Sequence, residues 1–181
     1  SAWQVVASMW SDEEEARMVA DIAWDLPDKR LRNRLRGHFP TSPVTYSLTF
    51  GVVELNVKVR KTSDGDALSV ALSPVASASD KAVGFTIAQD GQVQIRGSED
   101  EASLASSPSI QSGAWQEFRL RLDFNTGQAT LHRVASGESD QPLAELAFDT
   151  NEQYRAIVIT AEGDPNTSSR LGEVTLTQSI Q

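Results

Sequence analysis

The chain has 181 residues, of which 39% are hydrophobic and 23% charged, so it has the size and composition of one globular domain with a single core and not of a disordered segment. Its formal net charge of -9 argues against nucleic acid and anionic membranes as partners, because both are bound through basic surfaces. The absence of cysteine excludes disulfides and thiolate metal sites, and the absence of any run of roughly 20 apolar residues argues against membrane insertion.

The first predicted element is a short helix. Residues 11–14, Ser-Asp-Glu-Glu, have the form of a capping box, in which a hydroxyl at the N-cap is followed three residues later by a carboxylate. The apolar residues that follow recur at helical spacing up to Pro27: Met18, Val19, Ile22, Ala23 and Leu26. We expect this helix to cover an open edge or end of a sheet, and the alternative is a helix that binds a partner protein.

A strongly basic stretch follows at residues 29–36 of an otherwise acidic chain. Read as a strand, its alternation places four arginines on one face: Arg30, Arg32, Arg34 and Arg36. Guanidinium groups bind carboxylate and sulfate-like groups bidentately, so this row predicts contact with an acidic polymer or an acidic partner. The alternative is that these arginines pair with the acidic residues of the helix or are solvated.

From residue 44 onward the hydrophobic period is two, which indicates half-buried strands. Asp90-Gly91 is the strongest hairpin signal, and Asn125-Thr126-Gly127 returns the strand that Trp115 opens. With about ten strands, no alternating helices and frequent turn signals, the pattern predicts a mainly β fold, a two-sheet antiparallel β-sandwich or jelly roll with a short N-terminal helix. Residues 1–43 are expected to pack on the sandwich as a helix and basic segment, and residues 44–181 to form the sandwich.

Three segments within about residues 44–178, which are residues 51–60, residues 83–87 and the strand led by Trp115, resemble the concanavalin A-like lectin/glucanase superfamily. Residues 51–60 and 83–87, with the Asp90-Gly91 hairpin, look like strands of its jelly roll. The strand led by Trp115 and the hairpin after it are similar to laminin G-like modules. The resemblance implies the fold, and it leaves open a choice among lectins, carbohydrate-binding modules, adhesion modules, glucanases and polysaccharide lyases.

The motifs that catalysis in this superfamily requires are missing. Its glucanases need two carboxylates on one strand face, spaced like Glu-x-Asp-x-x-Glu, whereas Glu54 is followed on its face by Asn56 and Lys58. A lyase needs Tyr or His to abstract a proton beside a uronate, and nothing in the sequence links the residues of these types: Tyr46, Tyr154, His38 and His132. Binding without catalysis is therefore the prediction, and a polysaccharide lyase or glycosidase is the third alternative.

The predicted binding residues are aromatic and basic. Sugar sites stack an exposed aromatic ring on a pyranose, and Trp24 is the exposed candidate because it lies off the apolar stripe of the predicted helix. Trp115 leads a core strand and is expected to be buried. If their strands share a sheet, four cations gather on one face that suits an acidic glycan, and His132 is added to them: Lys58, Arg60, Arg119 and Arg121. Cross-strand ion pairs with Glu54, Glu117 and Asp123 are the alternative explanation.

We therefore hypothesise a non-catalytic carbohydrate-binding or adhesion module for an acidic glycan, belonging to a larger bacterial extracytoplasmic protein that is secreted, periplasmic or on the cell surface. The alternative is a structural or protein-interaction domain whose N-terminal helix and arginine strand bind a partner protein. No cofactor is predicted. Structural calcium is an option at two acidic loops, which contain Asp64 with Asp66 and Asp164 with Asn166.

Overall fold

A computed structural model describes residues 3–11, 17–18, 22–27, 35–38, 48–61, 67–97, 101–103, 113–134, 140–162 and 169–179. These residues form strands joined by turns, and none of them is helical. In chain order the strands are β1 (Trp3–Ser11), β2 (Arg17–Met18), β3 (Ile22–Asp25), β4 (Leu35–His38), β5 (Val52–Arg60), β6 (Ala67–Ser73), β7 (Val83–Ile87), β8 (Val93–Arg96), β9 (Glu101–Ser103), β10 (Trp115–Asp123), β11 (Gln128–Val134), β12 (Gln141–Ala147), β13 (Ala156–Glu162) and β14 (Arg170–Ser179).

The strands form two antiparallel sheets. The larger sheet has the order β12-β11-β10-β5-β14-β1-β4, with β2 paired to β14, and the smaller sheet has the order β3-β13-β6-β7-β8-β9. The two predicted hairpins join β7 to β8 and β10 to β11, and Gly91 and Gly127 in their turns have φ of 87° and 74°, which favours glycine. The predicted two-sheet antiparallel sandwich is confirmed.

The core lies between the sheets and receives one side of each alternating strand. In β5, Val53, Leu55, Val57 and Val59 are buried while the residues between them face outward. The same alternation in β10 and β7 brings Phe118 of one sheet against Phe85 of the other, with ring centroids 5.2 Å apart. Burial of such side chains supplies about 1.5–3 kcal/mol each, which makes this inner layer the main source of stability.

The predicted N-terminal helix is wrong for the residues that the structure describes. Residues 17–18 and 22–25 are strands, and β3 pairs with β13 so that Trp24 lies opposite Ile157. Trp24 is only 1% exposed, which also overturns its prediction as an exposed stacking residue. The reason for the strand lies in the tertiary structure. The edge of β13 offers backbone hydrogen-bonding groups with which β3 pairs, and the core accepts the large indole of Trp24. Residues 12–16, which include most of the predicted capping box, lie outside the described residues.

Residues near the start of the chain extend the larger sheet. β1 pairs with the last strand, β14, from Trp3 opposite Ser179 to Met9 opposite Val174. β4 then pairs with the other side of β1. Because Met9 is buried in the core, its neighbour Trp10 faces outward and is 39% exposed.

An aromatic cluster closes one end of the sandwich. Tyr154 is fully buried against Phe124 and Phe148, and its hydroxyl donates a hydrogen bond of 2.9 Å to the carbonyl oxygen of Asp149. Burial, followed by the negative charges of Asp149 and Glu152, raises the pKa of Tyr154 well above its usual value. The phenol is therefore neutral and committed to the fold, so Tyr154 is not available as the base of a lyase.

Replacing Tyr154 by Phe should lower the free energy of unfolding by about 1 kcal/mol at pH 7, because Asp149 loses a buried hydrogen-bond donor. The raised pKa makes a second effect pH-dependent: Tyr154 contributes stability below the unfolded-state pKa of about 10 and loses it as the pH rises, since only the unfolded chain ionises. Urea unfolding should show the difference between the two proteins shrinking or reversing by about pH 11. A difference that stays constant from pH 7 to 11 would contradict the burial of the phenol.

Candidate functional site

The outer face of the larger sheet brings together most of the described basic residues that the sequence predicts. β5 and β10 are antiparallel neighbours, so Arg60 lies opposite Trp115, and Lys58 opposite Glu117. Arg119 and Arg121 follow on the same face of β10. The predicted condition is thus met: these strands share a sheet, and their polar faces form one surface.

Trp115 is part of this outer surface, and the expectation that it is buried is wrong. Its indole is 38% exposed, with Lys58 Nζ 5.8 Å and Arg60 Cζ 5.5 Å from the ring centroid, both within cation–π range. The signal was present in the sequence, because Trp115 has the same parity as Glu117 and Arg119 on the polar side of β10. The prediction of burial followed the general tendency of tryptophan to lie in the core, and the position of Trp115 on the polar side of β10 contradicts it.

A further basic residue, Arg170, joins this surface from β14. The register places Arg170 directly opposite Arg60. Among the described residues, the Nε of Arg60 has no hydrogen-bond acceptor. We refer to Trp115, Lys58, Arg60 and Arg170 as the Trp115 surface. It is a local excess of positive charge beside an exposed indole, in a chain whose net charge is -9.

The side chain of Lys58 lies against the backbone of β14. A Cβ atom added to Gly172 would come within 3.1 Å of Lys58 Cβ and 3.3 Å of its Cδ. The missing side chain at Gly172 therefore leaves the space in which the lysine stem lies. The register also shifts here, between Leu171 and Val174, which marks a bulge in the pairing of β14 with β5.

Arg119 is held by neighbouring side chains. Its Nε donates to Asn56 Oδ1 at 3.0 Å and lies 3.3 Å from Glu54 Oε2, and its Nη1 donates to Asp140 Oδ2. These contacts link β10, β5 and the residue that precedes β12. For Arg119, cross-strand ion pairing explains the position without a ligand.

Other predicted site residues are spread over the same face or lie outside the described residues. Arg121 lies opposite Glu54 and Thr130, on the side of Arg119 away from Trp115. His132 lies opposite Arg119, and its buried Nδ1 has no hydrogen-bond partner among the described residues. Arg36 is exposed on β4, opposite Trp10. The other residues of the predicted arginine row lie outside the described residues: Arg30, Arg32 and Arg34.

The outer face of the smaller sheet carries a depression with a volume of about 140 Å³. Ser69 and Thr86 share a hydrogen bond of 3.0 Å across β6 and β7, and the lining is rich in hydroxyl groups and small side chains, with Arg96 as its basic residue. Gly84 is required for this close strand pairing, because a Cβ there would lie 2.0 Å from Val70 O. This hydroxyl groove is on the opposite side of the sandwich from the Trp115 surface.

Neither a cluster of metal ligands nor a long apolar helix occurs in the described part of the chain. Among these residues there is no group of three or more His, Asp or Glu side chains that could hold a metal ion. Both predicted calcium loops lie in stretches outside the described residues. Across the described ranges, no helix has the length and apolar character needed to cross a membrane.

The comparisons with known proteins bear on the fold. No protein-family model and no curated protein matches the chain. Among solved structures, arcelin-5, a lectin-like defense protein from Phaseolus vulgaris, aligns over 99% of this chain and 92% of its own, with a TM-score of 0.54 and 7% identity. Sheep galectin-11, solved with glycerol, aligns over 72% of this chain and 93% of its own, with a TM-score of 0.51 and 12% identity. The TRIM65 PSpry domain aligns over 75% of this chain and 66% of its own, with a TM-score of 0.43 and 18% identity.

The first two of these likenesses show a concanavalin A-like jelly roll, as the sequence resemblance predicts. At such low identity they show the fold and carry no residue of a site from one protein to another. The likeness to laminin G-like modules stays a prediction.

Replacing Arg119 by Gln should lower the free energy of unfolding by about 1 kcal/mol, because two half-buried carboxylates lose their cation. Urea unfolding followed by tryptophan fluorescence measures the change. The comparison variant is Lys81→Gln, which removes the ion pair of an exposed lysine with Glu152 and should lower stability less than Arg119→Gln does. An equal loss in the free energy of unfolding for the two substitutions would show that Arg119 does not stabilise the sheet by linking its strands.

Proposed function

We propose that the chain is a non-catalytic carbohydrate-binding module and that the Trp115 surface binds an acidic glycan. The observation that carries the proposal is an indole 38% exposed on a sheet face, with two cations within 6 Å of its centroid. An exposed indole offers a flat apolar face on which a pyranose ring stacks. Lysine and arginine beside it bind a carboxylate or sulfate group of the same sugar.

The charge arrangement supports an anionic ligand over a neutral one. Lys58 and Arg60 both lie within 6 Å of the centroid of the Trp115 ring, so an anionic group on a bound sugar would meet two cations. The remainder of the chain is acidic, so attraction for an anionic polymer acts only over the short range of this cluster. Binding should therefore weaken as the salt concentration rises.

The fold supports the same conclusion at a coarse level. Two proteins that share it over most of their own length are named as a galectin and a lectin-like protein. The arrangement of side chains on this chain carries the finer proposal. Against catalysis, two described carboxylates near this face, Glu54 and Asp140, are both paired with Arg119. Neither is poised as the acid or nucleophile of a glycosidase.

A protein-interaction domain is the second candidate function. It is favoured by exposed apolar side chains outside the Trp115 surface, which include Trp3, Val5 and Phe50. Such residues, grouped near one end of the larger sheet, suit a protein partner as well as a glycan. The glycan-binding experiment below separates the two functions.

The test is calorimetric titration with polygalacturonate and heparin as acidic probes and dextran as a neutral one, with and without EDTA. The intact chain should bind an acidic probe saturably and more weakly at high salt. Trp115→Ala, and the double substitution Lys58→Ala with Arg60→Ala, should each weaken binding at least ~10-fold, because each removes about 1.4 kcal/mol or more of stacking or charge-assisted contact. Loss of binding in EDTA would add calcium at the predicted acidic loops.

Two controls assign the site. Arg119→Gln should change stability while leaving affinity unchanged, since its guanidinium is already occupied. Thr86→Val alters the hydroxyl groove on the opposite face and should also leave affinity unchanged. If Thr86→Val abolishes binding and Trp115→Ala does not, the site belongs to the smaller sheet. If no glycan binds, the protein-interaction function replaces this proposal.

A further inference from the structure

We infer that the glycan lies across the strands of the larger sheet, with one sugar ring on Trp115 and a more distant ring of the same chain on Trp10. The site would then recognise an internal stretch of a linear polymer longer than a disaccharide. This inference rests on the proposed function and adds to it the length of the ligand and its direction. Trp10 is one of the four tryptophans that could stack on a sugar, and the sequence does not single it out.

Trp10 and Trp115 face the same side of the same sheet. Trp10 is 39% exposed and Trp115 38%, so each presents a comparable fraction of its surface to solvent. Trp10 lies one residue beyond Met9, which aligns through Val174 with Val57 of β5. This register brings Trp10 to the level of Lys58, which is two residues along the strand from the level of Arg60 and Trp115.

The separation of the two indoles sets the length of the ligand. Their strands are the ends of the series β10-β5-β14-β1, which are consecutive neighbours in the larger sheet. Three inter-strand spacings amount to about 14 Å, and the offset of two residues along the strands adds about 7 Å in the perpendicular direction. A monosaccharide or disaccharide cannot reach both rings, whereas a tetrasaccharide can.

Part of the surface between the two indoles lacks a side chain. Gly172 contributes no side chain, and the stem of Lys58 lies flat against its backbone. The neighbouring Glu173 is exposed, and its Oε1 accepts a hydrogen bond of 3.2 Å from Thr175 Oγ1. A glycine and the stem of a lysine therefore lie between the two exposed indoles.

The charges along this path favour the same orientation. Lys58, Arg60 and Arg170 surround the Trp115 end, while Arg36 lies opposite Trp10 at the other end. The carboxylate of Glu173 lies between these two groups of cations. Cations thus lie at each end of the path, and one carboxylate lies between them.

The experiment is calorimetric titration of the full chain with oligogalacturonates and heparin oligosaccharides of two, four and six residues. The intact protein should bind the four-residue ligand at least ~10-fold more tightly than the two-residue ligand, because only the longer one reaches the second indole. Trp10→Ala should bind the two-residue ligand as the intact protein does and lose the gain with length. Trp115→Ala should weaken binding at every length.

Trp3→Ala is the matched control. Trp3 is 43% exposed and lies on the same face of β1 as Trp10, because a β-bulge between Val5 and Ala7 shifts the alternation by one residue. It lies about 20 Å from Trp10 along the strand. It should leave the whole length series unchanged, and urea unfolding of each variant confirms that it is folded. Equal affinity of the intact protein for all lengths, with binding still lost in Trp115→Ala, would overturn this inference and leave the proposed function standing. Absence of binding to either acidic series would overturn both.

Discussion

The position of β5 between β10 and β14 is the constraint on which both the core and the candidate site depend. Backbone hydrogen bonds to two neighbours fix its register, and the period of two then separates its side chains onto opposite faces. The valines and leucine of one face fill the core, while Lys58 and Arg60 are carried outward. A slip of one residue would exchange the two sets, so hydrophobic burial on the inside holds the charged residues in place on the outside.

The outer face of this sheet combines two electrostatic situations. Around Arg119, acceptors from β5 and from Asp140 bind one guanidinium, and these contacts link β10 to its neighbours. Around Trp115, by contrast, Lys58 and Arg60 lie within 6 Å of the centroid of an exposed indole, and Arg170 lies opposite Arg60. An exposed aromatic ring beside cations offers the contacts that an acidic sugar can use.

Much of the architecture follows from local features of the sequence. The period of two in the segments that became β5, β7 and β10 predicts strands and names their buried sides, because alternation is a property of neighbouring residues. The turns at Gly91 and Gly127 are likewise readable, since they need a positive φ that glycine adopts without strain. The prediction of a helix near the start of the chain was wrong, although the apolar residues before Pro27 recur at the spacing of a helix. Pairing of β3 with β13 decided the matter.

The amino-acid sequence by itself determined the class of fold, the buried face of the main strands, the hairpins and the excess of positive charge on certain strand faces. Only the tertiary structure decided that Trp24 is buried, and that Arg170 and Trp10 share a face with Lys58. The reason is physical: periodicity acts between adjacent residues, whereas strand pairing joins residues far apart in the chain through backbone hydrogen bonds that do not depend on side-chain identity. Which side chains become neighbours across a sheet is therefore set by the fold as a whole.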